Sequence, residues 1–327
     1  MNAAPTFDTN STRERWKEEV YHACKPLHQY LNDPCVTGIF INPDQRVFIK
    51  KSGIGRQYAG FTMKESETVS LIKMTASYLG KVVNTKSNIM SGVLPHFNFR
   101  IQVVVPPVCV GPCVAIRKFL ARVKSLQEYV DEGRMTNIQR SRIIDAITNR
   151  ENIIVGGSTD SGKTTFLNAL LYEVAQLFPE HRIYLYEDTL EIRTSSNDVV
   201  SFEAPIEESV EYVRNALRFD PDRLIFGELR HGESCNQLFK AWIAGIKGGF
   251  STIHANDAFL TLSRIEALLG EVIETKPPRS RVCEAVSLIV HMDAVVAFGP
   301  KVNQVMELAP ELKGGEWVTK LIEEEKG

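Results

Sequence analysis

The chain has 327 residues, 43% hydrophobic and 24% charged, with 38 basic against 40 acidic side chains for a formal net charge of −2. This composition excludes a disordered, collagen-like or coiled-coil chain, and the length suggests two domains that each bury a core. The balanced charge gives no excess of cation, so direct nucleic-acid binding is not expected from charge.

The start, MNAAPTFDTNSTRERWKEE, is polar and lacks the apolar stretch of a signal peptide. Helical spacing follows at Trp16, Val20, Ala23, Leu27 and Leu31. Residues Gly38 to Lys51 alternate like a strand pair around the turn Asn42-Pro43-Asp44. A second helix is spaced by Val69, Ile72, Ala76, Leu79 and Val83. Phe99 to Val105 is a β-branched run stopped by Pro106-Pro107, with a shorter run at Val114 to Ile116. The longest apolar run, Val103 to Ile116, is broken by three prolines and Gly111 and is too short to span a bilayer. Residues 1–124 thus predict a small α+β domain, and the polar stretch 125–137 a linker or short connecting helix. The six cysteines are scattered and fit a reducing compartment better than a disulfide framework.

From 138 to 327 strands and helices alternate. Strands are predicted at Asn152–Val155, Arg182–Tyr186, Arg223–Phe226, Phe250–Ile253 and Ala294–Phe298. Helices are predicted at Lys163–Gln176, Glu207–Phe219, Glu233–Gly245, Phe259–Leu269 and Arg281–Val290. Such alternation implies an α/β domain with a mostly parallel sheet and helices on both faces.

Gly157-Ser158-Thr159-Asp160-Ser161-Gly162-Lys163-Thr164 matches G-x-x-x-x-G-K-[ST], with an apolar strand before it and a helix after it. The glycines let backbone N–H groups turn toward phosphate oxygens, and the helix start adds its positive end. Lys163 is expected on the β- and γ-phosphates of ATP and the Thr164 hydroxyl on Mg²⁺, with Thr165 in the same turn. Asp160 stands where glycine is common, and a carboxylate near phosphates costs Coulomb energy.

Acids recur at the ends of the following strands: Glu187, Asp188 and Glu191 after the second, and Glu228 after the third. Alone they read as first-turn acids of helices; beside a phosphate loop they read as groups that orient the attacking water. His254 ends the next strand. Glu228 is the first candidate for activating water and Glu191 the second.

In this order the landmarks resemble the secretion (traffic) ATPases of type II and type IV secretion systems, most of all the TrbB-type conjugative-transfer branch. They are the phosphate loop, an aspartate box (Tyr186-Glu187-Asp188-Thr189-Leu190-Glu191), an atypical Walker B (Leu224-Ile225-Phe226-Gly227-Glu228-Leu229-Arg230) and a histidine box (Thr252-Ile253-His254-Ala255-Asn256). Gly227 takes the place of the usual Walker B aspartate. The resemblance implies a RecA-like P-loop NTPase domain behind the smaller α+β domain. It further implies that His254 senses the γ-phosphate and that Arg100 and Arg117 of the first domain reach the nucleotide. The activity implied is Mg²⁺-dependent ATP hydrolysis by a homo-oligomeric ring, a hexamer, that powers conjugative transfer. Such a motor is expected to be cytoplasmic and peripheral to the inner membrane, with inner-membrane components of the machine as partners. Two readings stay open beside it: a pilus extension or retraction motor, and a nucleotide-gated docking scaffold with negligible turnover.

Overall fold

The computed structural model describes residues 9–51, 54–118, 123–273, 279–295 and 299–323. The chain divides into two compact units, Met1–Ala121 and Arg122–Gly327.

In the first unit, α1 (Thr9–Ala23), α2 (His28–Asn32) and α3 (Glu65–Tyr78) accompany β1 (Val36–Ile41), β2 (Arg46–Lys51), β3 (Gly55–Thr62), β4 (Ile89–Leu94), β5 (Phe99–Val104) and β6 (Cys113–Arg117). All pairings are antiparallel, in the order β3-β2-β1-β6-β5-β4. Alternate residues Ile39, Ile41, Val47, Ile49, Ile101, Val103, Val114 and Ile116 bury against Val20, Leu27, Leu31 and Leu71 of the helical segments. One face of the sheet makes the core, as period-two alternation requires.

The second unit holds α4 (Leu126–Asp131), α5 (Asn137–Thr148), β7 (Ile153–Gly157), α6 (Lys163–Leu177), β8 (Arg182–Glu187), β9 (Asp198–Glu203), α7 (Ser209–Ala216) and β10 (Arg223–Leu229). It continues with α8 (Gly232–Ile243), β11 (Phe250–His254), α9 (Ala258–Gly270), α10 (Arg279–Ala285), β12 (Leu288–Val295), β13 (Gly299–Leu308) and β14 (Thr319–Leu321). The sheet order is β14-β13-β12-β7-β11-β10-β8-β9, parallel from β12 to β9 and antiparallel at the β13–β14 edge. Its strands bury both faces. Ile153, Val155, Ile183, Leu185 and Ile225 join Phe166, Leu170 and Ile143 in one core. Ile154, Tyr184, Tyr186, Leu224 and Phe226 join Leu238, Trp242 and Leu262 in the other.

Residues 125–137, read as a linker or short connecting helix, hold a short helix. Ser125 and Glu128 form a reciprocal capping box that starts α4, and Leu126 and Tyr129 are buried in the core beside Phe166. The predicted helix Arg281–Val290 stops at Ala285, and Leu288-Ile289-Val290 begins β12 instead. A short apolar run looks alike in a buried helix and a buried strand, and pairing with β7 decides for the strand. Of the predicted strand Ala294–Phe298, residues 296–298 lie outside the described residues.

Candidate nucleotide-binding site

The parallel strands β7, β8, β10 and β11 end at one edge of the sheet, where open α/β sheets bind ligands. β7 leaves the core at Gly157, and the chain curls before α6 begins at Lys163. The curl needs its residue types. Gly162 caps α6 with φ 87°, and a Cβ there would lie 2.5 Å from the ring of Pro300. A Cβ on Gly157 would lie 2.6 Å from the Met292 carbonyl. Asp160 has φ 60°, a left-handed conformation that glycine, asparagine and aspartate tolerate, which explains an aspartate where glycine is common. Ser158, Thr159 and Asp160 are exposed, whereas Ser161 is fully buried with no hydrogen bond on its Oγ among the described residues. Thr164 and Thr165 are half-buried in the first turn of α6, whose leading N–H groups have no partners within the helix.

Charged groups from four strand ends meet at Lys163. Its Nζ donates to the Ser158 carbonyl at 2.8 Å and lies 3.2 Å from His254 Nδ1. His254 Nε2 is 2.8 Å from Glu228 Oε1 but off a hydrogen-bonding line, so that Oε1 keeps no hydrogen bond among the described residues. The other oxygen of Glu228 accepts from Arg230 Nη2 at 2.6 Å, and Arg230 Nη1 donates to Asp188 Oδ2 at 2.8 Å. From Glu228 to Arg230 to Asp188 the signs alternate, and His254 bridges this series to Lys163. Burial lowers the pKa of Lys163, opposed by the negative charges of Glu228, Asp160 and Glu191. The hydrogen bond that Arg230 donates to Glu228 raises the pKa of Arg230.

Glu187 ends β8 and is 3% exposed. Burial pushes its carboxyl up to about 8, although Oε2 accepts from the N–H groups of Glu191 (2.7 Å) and Ile192 (3.0 Å). Asn168 of α6 ties the same loop, donating to the Glu191 carbonyl at 3.3 Å and accepting from Arg193 N at 3.0 Å.

The glycine cradle and the orphaned Ser161 Oγ fit a triphosphate, which supplies acceptors for such donors. Among the described residues no group of three or more His, Cys, Asp or Glu side chains is placed to hold a metal. Mg²⁺ in nucleotide sites keeps several waters and is held mainly through phosphates, so it asks few ligands of a protein.

Residues 82–307 match the Type II/IV secretion system protein family. The chain belongs to this family. It is 35% identical over 279 residues to the conjugal transfer protein TrbB of Rhizobium radiobacter, covering 85% of each chain. It is 26% identical over 308 residues to the type IV secretion system protein VirB11 of Brucella suis, covering 83% of each. Among solved structures, the Legionella pneumophila ATPase DotB shares the fold with a TM-score of 0.61 at 20% identity, over 95% of this chain and 84% of that one.

Other landmarks of this secretion family fall as follows. Arg100 and Arg117 are direct cross-strand partners on β5 and β6 of the first unit. Gly227 sits where the β10–β11 ladder shifts register between Phe226 and Glu228, and its carbonyl accepts from Thr252 Oγ1 at 2.8 Å. Two features were not singled out from sequence: the Arg230–Asp188 pair and the buried position of Glu187. Spacing alone gives the box its acids but not which of them faces inward.

Proposed function

We propose that this chain is an ATP-hydrolysing motor of a conjugative type IV secretion machine. The observation that carries it is the joining of the phosphate-loop lysine, through His254, to Glu228 at one sheet edge. Lys163 and the loop N–H groups bind the phosphates, and Thr164 holds Mg²⁺. When bound, Mg²⁺ neutralises charge on the β- and γ-phosphates. Glu228 accepts a hydrogen bond from the attacking water and orients it, with Glu191 as second candidate. His254 lies between lysine and acid, where a γ-phosphate displaces the lysine–histidine contact; this supports its role as γ-phosphate sensor. Arg100 and Arg117 supply guanidinium charge to the phosphates, worth most as negative charge builds on the leaving oxygen.

Identity to TrbB and VirB11 proteins favours conjugative transfer over a pilus motor. The protein works as a homohexameric ring that docks on inner-membrane components, cytoplasmic and peripheral to that membrane; among the described residues no helix is long and apolar enough to cross a membrane. Lys163→Ala tests the site: ATP turnover with Mg²⁺ is expected to fall at least about 10²-fold. Turnover at the wild-type rate would remove the assignment. Negligible turnover by the intact protein, with tight ATP binding, would favour the docking scaffold.

A further inference from the structure

The atypical Walker B is a consequence of what stands beside it. β8 and β10 run parallel and in register, Tyr186 opposite Phe226, so position 227 faces the end of β8. A Cβ on residue 227 would lie 3.0 Å from Glu187 Cβ, 3.3 Å from its Cα and 3.5 Å from the Tyr186 carbonyl. A side chain at 227 is thus crowded by the Cβ and Cα of position 187 on the paired strand, which favours glycine over aspartate there.

Glu187 does not stand there idle. One oxygen takes two N–H donors, those of Glu191 and Ile192, at 2.7 and 3.0 Å. These are the amides of the loop that carries Glu191, a candidate for the water-orienting role. The other oxygen is buried without a hydrogen bond among the described residues. A side chain kept at 3% exposure with one oxygen unused is costly unless the other fixes something the protein needs.

Resting on the ATP-hydrolysing reading above, we infer that Glu187 is a positioning residue: it stands beside Gly227, the position of the absent Walker B aspartate, and acts by holding the Glu191 loop through two backbone hydrogen bonds. Its work is done by an acceptor oxygen rather than by negative charge. The charged groups that act on it are Glu191 in the loop and Glu203, its register partner on β9, both acids, so a neutral acceptor is favoured at this position over a carboxylate.

The test uses the full chain with Glu187→Ala and Glu187→Gln, each checked for an intact fold by thermal melting. Amide hydrogen exchange is read at Glu191 and Ile192, and kcat and KM for ATP with Mg²⁺ over pH 6 to 9. Alanine is expected to speed exchange at those two amides and to lower kcat on the order of 10²-fold with KM within about threefold, because misplacing a group near the chemistry by about 1 Å costs that much. Glutamine, which keeps the acceptor, is expected to restore slow exchange and most of kcat. Slow exchange in the alanine variant, or a glutamine variant as impaired as alanine, would overturn the inference. Exchange is read without turnover, so failure of the positioning role is distinct from failure of the ATPase reading, which Lys163→Ala addresses. If Glu187→Ala does not fold, Glu187→Gln carries the test alone: loss of kcat or fast exchange in it refutes the acceptor role.

Discussion

In the second unit the acids Glu228 and Asp188 close on Arg230, and His254 bridges Glu228 to Lys163, while in the first unit two like charges, Arg100 and Arg117, are set directly opposite on neighbouring strands. The difference follows from the sheets. Parallel strands covered on both faces leave only their ends for polar groups, so charges crowd there and must compensate each other. An antiparallel sheet with one solvated face carries polar side chains along its length, and like charges there cost only about 0.2–1 kcal/mol. A crowded network fails when one member goes, whereas a pair of surface cations fails by degrees.

The largest expected effect therefore lies in the second unit. Glu228→Gln removes the negative charge between His254 and Arg230 and the group assigned to the water; kcat is expected to drop about 10²- to 10³-fold. Steady-state ATPase assays check it, and a drop below fivefold would pass the role to Glu191. Next come the arginines. Arg100→Ala with Arg117→Ala is expected to lower kcat/KM about 10- to 10²-fold, with a steeper loss at low salt because Arg117 is exposed and its charge is screened. If the pair mattered as little as an ordinary surface charge, the double variant would match wild type and the contrast between the units would lose its functional meaning.

A smaller effect concerns stability. Glu187 holds its proton in the folded state up to about 8, against an ordinary value of 4.5. The folded state thus binds a proton that the unfolded chain has released, so stability is full below 4.5 and is lost as pH rises through the folded value. The slope is at most about 1.4 kcal/mol per pH unit. Glu187→Gln removes this titration. Its melting temperature is expected to fall less than that of wild type between pH 5 and 8, in melts across that range; parallel curves would show a carboxyl already ionised at neutral pH.

Much of this was legible in sequence, and the exceptions have separate physical reasons. The phosphate loop, the strand-end acids and His254 could be placed because each lies between a predicted strand and helix. β3 (GRQYAGFT) was missed because it is mostly exposed and has no apolar alternation; β4 was missed because Ser91 and Gly92 break its pattern. β9 and β14 are edge strands of a few half-buried residues, held by pairing rather than by propensity. The segment 125–137 is polar overall, and its burial rests on Leu126, Tyr129 and Met135. The inward turn of Glu187 depends on a contact with Gly227, 40 residues later, that no local pattern contains.

Asp160→Gly has the smallest expected effect and bears on the network's outer rim. The aspartate is exposed, and its charge helps keep Lys163 protonated against burial. Glycine keeps the φ of 60° at no steric cost, so the curl should persist. Two electrostatic effects then compete. Losing the carboxylate removes repulsion toward incoming phosphates, about 1 kcal/mol or less for an exposed charge in water, and slightly weakens the hold on the lysine proton. Phosphates themselves restore that proton when they bind, so the repulsion term wins. The KM for ATP should fall up to about fivefold at low salt, and the gain should vanish near 1 M salt, where the screening length is about 3 Å. A KM that rises instead would mean that Asp160 organises the loop beyond its charge, and the compensated network would then extend one residue past Lys163.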